Sequence, residues 1–525
     1  MSVKPPTTQT PKLSLSYKII WGVAALGTSL ISGTYGGLLT IFYQDYLGVT
    51  AKWIGIAAVI YAIWNAINDP IFGYITDNTR SKLGRRIPFM RYTAPFLALT
   101  FIAVWFAPDK TSLLGDSRQM LLFGWMLGSM LLYDTAYTII GLVYSALLPE
   151  VTEADSERNA LQISSSLFAM LGTILGFLIP DMVRPKSGAE SDLWPLRLAM
   201  IVLAIVAMLL IMGTTFKVKE RKEFTRVDKP LPLLPAIKAT FTSKSFLILV
   251  AANFMSILMS SLVTGSMFYL ADYVMHTGVI NLLIFVFVPL IIGIPLTTLF
   301  RKKMGVVASQ QLLLVIAGVG LIAVAFVPEK LIPFCLILAG FGLAGPQTLT
   351  NVLFAQVADE DEVRTGVRRE GAFFGVNALL TKPAQSVALW IVPAILEATN
   401  FVSRAANEGE MLVNQPGSAV FGIKSFIGII PGVACLLGSL LLTFYPLRGR
   451  YLIRFRKKFW RCMYKRLWHS KKWNKLSKIV FKDKSQRGGY YHLSSHNYLL
   501  FFFFFLSKSN PLNKLRLVAK ITQGR

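Results

Sequence analysis

The most informative side chain in this sequence is an acid, Asp69, inside an apolar stretch long enough to cross a bilayer. Two amides, Asn65 and Asn68, precede it within the same stretch, which runs over 53–75. A charge at that depth is costly, so intramembrane acids usually lie on transport pathways. A hard cation prefers several oxygen ligands, which these three side chains could supply from one helix face and its neighbour. The pattern predicts a cation site; the alternative is a polar contact satisfied between packed helices.

Two more charges lie inside apolar stretches. Asp134 has Tyr137 close by in the sequence, and Lys382 follows Asn377 within another apolar run. An ammonium group at this depth would pair with Asp69 or Asp134, or bind an anionic group of a substrate. We therefore expect these residues to line a central cavity. A hydrogen-bonded helix contact is the alternative for Asp134, and snorkelling to the interface is the alternative for Lys382.

Composition shows what must position these charges. The 525-residue chain is 54% apolar, with a mean hydropathy of +0.54, well above an ordinary soluble domain. A membrane span needs about 20 apolar residues, and the first candidate is too long for a cleavable signal. The sequence thus predicts an all-α membrane protein with twelve spans, at 19–43, 53–75, 87–107, 120–148, 160–180, 198–216, 246–275, 279–300, 311–327, 332–357, 372–396 and 420–445.

The spans divide six and six around a polar segment. We predict a cytoplasmic N-terminal segment (1–17), a first six-helix bundle (18–216), a cytoplasmic linker (217–244), a second bundle (245–446) and a basic tail (447–525). The two halves have similar connecting loops, since a basic turn joins spans 2 and 3 and another joins spans 8 and 9. Two bundles related by an axis along the membrane normal, with a substrate site near the midplane, would give this pattern.

Charge predicts the orientation and the role of the tail. Basic residues concentrate in alternate loops, at 80–91, 217–244 and 301–303. The positive-inside rule therefore predicts that both termini lie in the cytoplasm. The net charge is +27, of which the tail contributes +20. The tail mixes basic with aromatic residues, a composition that suits binding to anionic lipid headgroups. Two alternatives are RNA binding and a tail that is translated but has no sequence suited to folding. The body gives no reason to expect a nucleic-acid partner.

Enzyme and metal signatures are weak. The three cysteines show no paired or metal-ligand spacing, and no P-loop, zinc site or nucleophile triad is evident. A dinucleotide-like glycine pattern at 340–345 lies inside a span, where close helix packing explains it better. We expect a protein that is not an enzyme and has no cofactor.

Three stretches resemble one known family. They are 68–86, 144–150 with Arg158, and 358–382. Together with the six-plus-six arrangement, they resemble the glycoside–pentoside–hexuronide:cation symporter family of the major facilitator superfamily, typified by melibiose permease. The resemblance covers 17–446. It implies a multi-pass transporter of the cell membrane, acting as a monomer by alternating access and coupled to H⁺ or Na⁺.

The resemblance also implies roles for individual residues. It places Thr138 as a hydroxyl ligand of the coupling cation, and puts Asn65 where the family often has a first acid. The sugar-binding positions fall on Gly141, Ser29 and Ser166, and the stacking aromatic on Tyr144. Membership of this family would favour a sugar as the substrate. The charged residues of a melibiose-like pocket are missing, however, so the pocket argues against a melibiose-like sugar. Relatives that carry lipids keep a lysolipid open as the substrate.

Charged residues near the cytoplasmic ends of the spans suggest a gate. Interbundle salt bridges there would close the cytoplasmic side; loop charges that are simply solvated are the alternative. The candidates are Asp77, Arg85, Arg86, Glu150, Asp155 and Arg158 in the first half, with Asp359, Asp361, Arg364, Arg368 and Arg369 in the second.

The function predicted from these observations is cation-coupled symport of a small polar solute, most simply a sugar or glycoside. Asp69 would bind the coupling cation with Asn65, Asn68 and Thr138. Two rivals stay open: transport of a lysolipid or other amphiphile on the same fold, and a receptor or scaffold that does not transport.

Overall fold

The computed structural model describes residues 13–447, apart from 80, 82, 85, 110–112, 153–154, 186–191, 219–240, 242, 366–369, 408–410 and 413. The predicted linker and tail lie almost wholly outside the described residues, so both remain predictions.

Fourteen α-helices form the described part of the chain. They are α1 (Leu15–Ile41), α2 (Ala51–Asn78), α3 (Ile87–Trp105), α4 (Gly115–Val151), α5 (Asp155–Val183), α6 (Trp194–Lys217), α7 (Lys244–Tyr273), α8 (Val279–Met304), α9 (Val306–Phe326), α10 (Ile332–Thr365), α11 (Glu370–Thr381), α12 (Pro383–Ala398), α13 (Gly417–Lys424) and α14 (Ile430–Thr443). A π-helical turn extends α1 through Phe42–Tyr46, and another, Ser425–Ile429, joins α13 to α14.

Twelve spans result within the described residues, confirming the number predicted. The eleventh is α11 continued by α12, and the twelfth is α13 continued by α14. Observed helices differ from the apolar runs at their ends: α4, for example, begins at Gly115 rather than at residue 120. We call the side of the membrane on which α1 begins the near side, and the opposite side the far side. Their assignment to cytoplasm and exterior stays a prediction.

Local sequence explains several helix boundaries. Ser14 caps α1 by accepting a hydrogen bond from the Tyr17 amide, and Ser243 caps α7 by accepting one from the Phe246 amide. Gly305 has φ +88°, a conformation open to glycine, and it permits the tight turn from α8 to α9. Pro383 cannot donate a backbone hydrogen bond, so the eleventh span breaks immediately after Lys382.

Small residues bring the helices within each bundle together. Gly172 and Gly176 of α5 lie against α1 so closely that an added Cβ would stand 2.5 Å from the carbonyl oxygens of Leu26 and Leu30. In the second bundle, Gly342 of α10 meets the backbone of α9 with the same clearance, at Leu313. The glycines at 340–345 therefore serve helix packing, as expected.

The most extensive contacts between the two bundles, α1–α6 and α7–α14, form three seams. These are α1 with α7, α2 with α12, and α5 with α8. Gly55 of α2 lies directly under the Trp390 ring of α12, and Gly265 of α7 approaches the Gly36 carbonyl of α1. On the far side, Phe177 of α5 stacks on Phe268 of α7 with ring centroids 5.5 Å apart. These seams surround a cavity.

Candidate functional site: a charged cavity between the bundles

The cavity has a volume of about 600 Å³, within the range of small-molecule sites. One wall comes from α1, α2 and α4 of the first bundle, and the other from α7, from Lys382 and from α12, which follows it. The charged side chains among its described lining residues are Asp69, Asp134 and Lys382. All three stood out in the sequence because they are charges inside apolar spans.

Asp69 and Lys382 form an ion pair that joins the two bundles. The Lys382 Nζ donates to Asp69 Oδ1 at 2.6 Å and reaches Asn65 Oδ1 at 3.3 Å. The two side chains keep 19% and 23% of their surface exposed, so the pair faces the cavity. Since Pro383 begins α12, Lys382 lies at the junction of two helices and its side chain extends across to α2.

Asp134 is more deeply buried than Asp69 and is held by neutral donors. The Tyr61 hydroxyl donates to its Oδ1 and the Asn68 amide to its Oδ2, both at 3.0 Å. Asn68 therefore bonds one acid, Asp134, and directly precedes the other, Asp69, in the chain. Its Oδ1 is buried and has no hydrogen-bond partner among the described residues. The Nδ2 of Asn65 is also buried and has no hydrogen-bond partner among the described residues. Two adjacent amides thus have polar atoms that the described protein leaves unsatisfied.

Four tyrosines cover the first-bundle side of the cavity, and we call them the tyrosine wall: Tyr35, Tyr61, Tyr133 and Tyr137. Tyr35 stacks on Tyr133 with centroids 4.2 Å apart, and Tyr133 stacks on Tyr137 at 5.8 Å. Tyr137 was expected in the cavity from the sequence. Tyr61 could have been found, because it lies four residues before Asn65 and so on the same helix face; Tyr35 gives no such signal.

Some of the predicted cavity residues lie in the cavity and others do not. Thr138 and Gly141 line it together with the charged residues. Tyr144 instead stacks on Trp21 at 4.7 Å and donates to the Trp21 carbonyl. Three others are also absent from its described lining: Ser29 packs near Gly172 of α5, Ser166 is exposed, and Asn377 accepts a hydrogen bond from Asn253.

A second group of charges, which the sequence did not reveal, closes the far side. We call it the far-side network: Asp45, Asp181, Arg184, Asp272, Tyr273 and Arg404. Asp45 is fully buried because it lies near the end of the extended α1, where it pairs with Arg404. The network includes residues from both bundles.

Arg404 is the centre of this network. Its backbone amide and Nε donate to the two carboxylate oxygens of Asp45 at 2.7 and 3.0 Å, and its Nη2 donates to Asp272 at 2.9 Å. The Tyr273 hydroxyl adds a 2.6 Å hydrogen bond to Asp45. Burial by itself would lower the pKa of Arg404, but the surrounding tyrosines and aspartates raise it above its ordinary value. The guanidinium therefore stays charged.

Arg184 completes the network from α5. It donates to both oxygens of Asp272 and to Asp181, the latter at 2.6 and 3.0 Å. Asp181 also accepts from the Val279 amide at the start of α8. Asp181 and Arg184 belong to the first bundle while Asp272 and Val279 belong to the second. The Arg184–Asp272 and Val279–Asp181 bonds must therefore break if the bundles separate on this side.

The predicted near-side gate falls mostly on side chains outside the described ones. Arg86 is buried and donates to Thr76 at 3.0 Å, and Asp361 is buried near the end of α10. Asp359 and Asp361 both have interaction partners. The side chains outside the description are Asp77, Arg85, Glu150, Asp155, Arg158, Arg364, Arg368 and Arg369, and for these the gate stays a prediction.

Comparison with known proteins settles the family. A model described as MFS/sugar transport protein matches residues 20–449. The chain belongs to this family. It is a multi-pass membrane transporter of the major facilitator superfamily rather than an enzyme, and the predicted resemblance to the glycoside–pentoside–hexuronide:cation symporters is confirmed.

Its relatives in the family are symporters and importers. An uncharacterized symporter of Synechocystis, sll1374, is 26% identical over 83% of this chain and 95% of its own length. The sodium-dependent lysophosphatidylcholine symporter 1 of Mus musculus is 23% identical over 85% of this chain and 88% of its own. A putative sulfoquinovose importer of Escherichia coli is 25% identical over 83% and 91%.

Solved structures agree on the fold. The crystal structure of a D-xylose-proton symporter superposes with a TM-score of 0.59, at 14% identity, over 82% of this chain and 98% of its own. At that identity the likeness concerns the fold alone. It confirms the predicted twelve-helix architecture of two six-helix bundles.

Proposed function

We propose that this transporter couples a cation, H⁺ or Na⁺, to the movement of a small polar solute, most simply a sugar or glycoside. The observation that carries the proposal is the Asp69–Lys382 ion pair. It joins the two bundles, faces a cavity of substrate size, and leaves both partners partly exposed. A charge pair in that position can exchange Lys382 for a cation from solution.

The neighbouring oxygens suit a cation that replaces Lys382. When the ammonium leaves Asp69, it also releases Asn65 Oδ1, to which it lies 3.3 Å away. The buried Oδ1 of Asn68 has no hydrogen-bond partner among the described residues, and Thr138 lines the same cavity. Carboxylate, amide and hydroxyl oxygens are ligands of hard cations. A proton on Asp69 would release Lys382 equally well.

The position of the far-side network supports alternating access as the mechanism. With that network intact, the bundles are held together on the far side. Binding of cation and substrate would remove the attraction between Asp69 and Lys382, and the bundles could then rock about the cavity. Transport would require the far-side network to open and close once in each cycle.

A lysolipid is the second candidate substrate. It is favoured by the apolar part of the cavity lining, including Leu39, Met130, Leu142 and Leu389. The lysophosphatidylcholine symporter of Mus musculus supports it as a relative. Against it stands the phosphate, whose negative charge would meet the carboxylates of Asp69 and Asp134 in the same cavity.

The test is uptake into proteoliposomes holding the full chain. A panel of radiolabelled sugars, glycosides and lysophosphatidylcholine is offered under an inward Na⁺ gradient, an inward H⁺ gradient, or neither. Accumulation of a glycoside under one gradient is the expected result, and that gradient names the ion. Asp69→Asn should abolish accumulation, whereas Asp109→Asn, at a charge outside the described cavity, should preserve it. Glycoside accumulation that is independent of both gradients would contradict coupling.

A further inference from the structure

The tyrosine wall combines flat surfaces with free hydrogen-bonding groups. Among the described residues, the hydroxyls of Tyr35 and Tyr133 are buried and have no hydrogen-bond partner. Buried hydroxyls are normally satisfied, and leaving one unsatisfied costs about 1–3 kcal/mol. Both rings line the cavity, so a bound molecule that shifts either side chain could reach its hydroxyl and supply the missing partner.

Asp134 is oriented for the same purpose. Each of its carboxylate oxygens accepts one hydrogen bond, from Tyr61 or from Asn68. A carboxylate has about four acceptor sites, so lone pairs remain for a further donor. Asp134 and Tyr133 are adjacent in α4, which places this acceptor beside the stacked rings. An aromatic surface beside a fixed acceptor suits a ring that carries hydroxyl groups.

Apart from Lys382, the opposite wall is neutral and carries hydroxyl and amide groups. It contains Ser260, Ser261 and Thr264 of α7 and Gln385 of α12. These groups both donate and accept hydrogen bonds, as sugar hydroxyls do. None of them carries a charge, so this part of the wall cannot neutralise a charged substrate.

The charge balance of the cavity distinguishes neutral from anionic substrates. Of its described lining residues, Asp69 and Asp134 carry negative charge, and Lys382 alone carries positive charge. The net charge is −1, and one bound monovalent cation brings it to zero. A neutral substrate preserves that balance. An anionic substrate restores an excess negative charge in a confined site, which is costly.

We propose that the tyrosine wall and Asp134 form the substrate subsite, and that it selects an uncharged hydroxylated ring against its anionic counterpart. This inference rests on the proposed function and narrows its substrate class. The ring lies against Tyr35, Tyr133 and Tyr137, its hydroxyls donate to Asp134, and its far edge contacts the serines of α7.

The test uses pairs of glycosides that differ only by a carboxylate. Purified full chain in nanodiscs is titrated with p-nitrophenyl glucosides and galactosides and with the matching glucuronides and galacturonides, in Na⁺ and at several pH values. Ligand binding is measured by the shift of the melting midpoint. The neutral member of a pair should bind about tenfold tighter or more, as expected where a buried charge is left unpaired.

Each other outcome has a distinct meaning. Equal or tighter binding of the uronide overturns the selection proposed here but leaves sugar symport standing. Binding of lysophosphatidylcholine alone overturns both this inference and the sugar assignment. Binding of no compound under any cation condition also counts against both.

Variants separate recognition from folding. Tyr133→Phe and Tyr35→Phe keep the rings and remove the free hydroxyls, so each should weaken glycoside binding about two- to tenfold. Asp134→Asn should weaken it more than either. Tyr92→Phe, at an exposed tyrosine of α3, is the matched control and should change nothing. A fall in the ligand-free melting midpoint with unchanged affinity would show a structural role and overturn the assignment.

Discussion

Two charged contacts join the bundles, and they are built differently. The Asp69–Lys382 pair rests on one short hydrogen bond and keeps about a fifth of each side chain exposed. The far-side network buries its members almost completely, with Arg404 bonded to both Asp45 and Asp272. One contact faces a cavity that ions can enter, while the other is sealed within protein.

This difference assigns different tasks to the two contacts. A single, partly exposed pair can exchange one partner for a cation at modest cost, because solvent and the arriving ion replace what is lost. A buried network has no such replacement, and removing one member leaves charges stranded. We therefore expect the cavity pair to respond to ions and the far-side network to respond to movement of the bundles. Substitutions can break or sharpen this contrast.

The largest effect is expected for Arg404→Ala. Asp45 and Asp272 would remain buried without their shared partner, which should cost about 3–5 kcal/mol of folding free energy. Thermal unfolding of the purified variant, followed by fluorescence, measures the loss. A cysteine at Thr40, in a background without Cys335, Cys435 and Cys462, should also become more reactive from the far side. An unchanged melting midpoint with unchanged labelling would contradict the role of the network.

A smaller loss is expected for Tyr273→Phe. The substitution removes a single hydrogen bond of 2.6 Å to a buried carboxylate and keeps the ring packed. Hydrogen bonds to charged groups contribute about 1.5–3 kcal/mol. The same unfolding measurement should place this variant between wild type and Arg404→Ala. A midpoint as low as that of Arg404→Ala would mean that the tyrosine, rather than the guanidinium, organises the network.

For the cavity pair, Lys382→Ala should change ion binding more than stability. Without the competing ammonium, Asp69 should bind the coupling cation about tenfold more tightly, equivalent to about 1.4 kcal/mol. The measurement is the concentration of Na⁺ or H⁺ that gives half of the cation-induced rise in melting midpoint. Lys382→Arg keeps the positive charge and should not show the gain. If Lys382→Ala weakened cation binding, the lysine would be part of the site rather than its competitor.

The smallest effect is expected for a partly exposed ion pair outside the cavity. Asp109 lies 3.0 Å from Arg197, and both side chains retain contact with solvent. Such pairs contribute about 0.2–1 kcal/mol, so Asp109→Asn should barely move the melting midpoint. This variant calibrates the scale on which the others are judged. A loss comparable to that of Tyr273→Phe would show that burial does not separate the two classes of contact.

Much of the fold could be predicted from the sequence. Apolar runs of about 20 residues report membrane spans directly, and Asp69, Asp134 and Lys382 stood out because each is a charge within such a run. Helix breaks were harder to foresee: the division of the eleventh span at Pro383 follows from a missing backbone donor that an apolar window does not register.

The remaining parts of the site depend on tertiary contacts. Tyrosine in an apolar span has little polarity contrast, so Tyr35 and Tyr133 give no sequence signal for the cavity. Arg404 lies in a loop, and its hydrogen bond to Asp45 joins residues 359 positions apart. No local pattern connects them. Tyr144 shows the opposite case. The family resemblance predicts that its ring stacks on the substrate, whereas in the structure the ring stacks on Trp21.

The most direct test of ion exchange at the cavity pair compares two modes of transport in one variant. Asp69→Asn and wild type are reconstituted in parallel, and the glycoside that wild type accumulates best is used as probe. Counterflow without any ion gradient requires only substrate binding and bundle movement, whereas accumulation against a gradient requires the cation site. Asp69→Asn is predicted to retain counterflow and lose accumulation. Accumulation by Asp69→Asn at the wild-type level would contradict the assignment of the coupling site to Asp69.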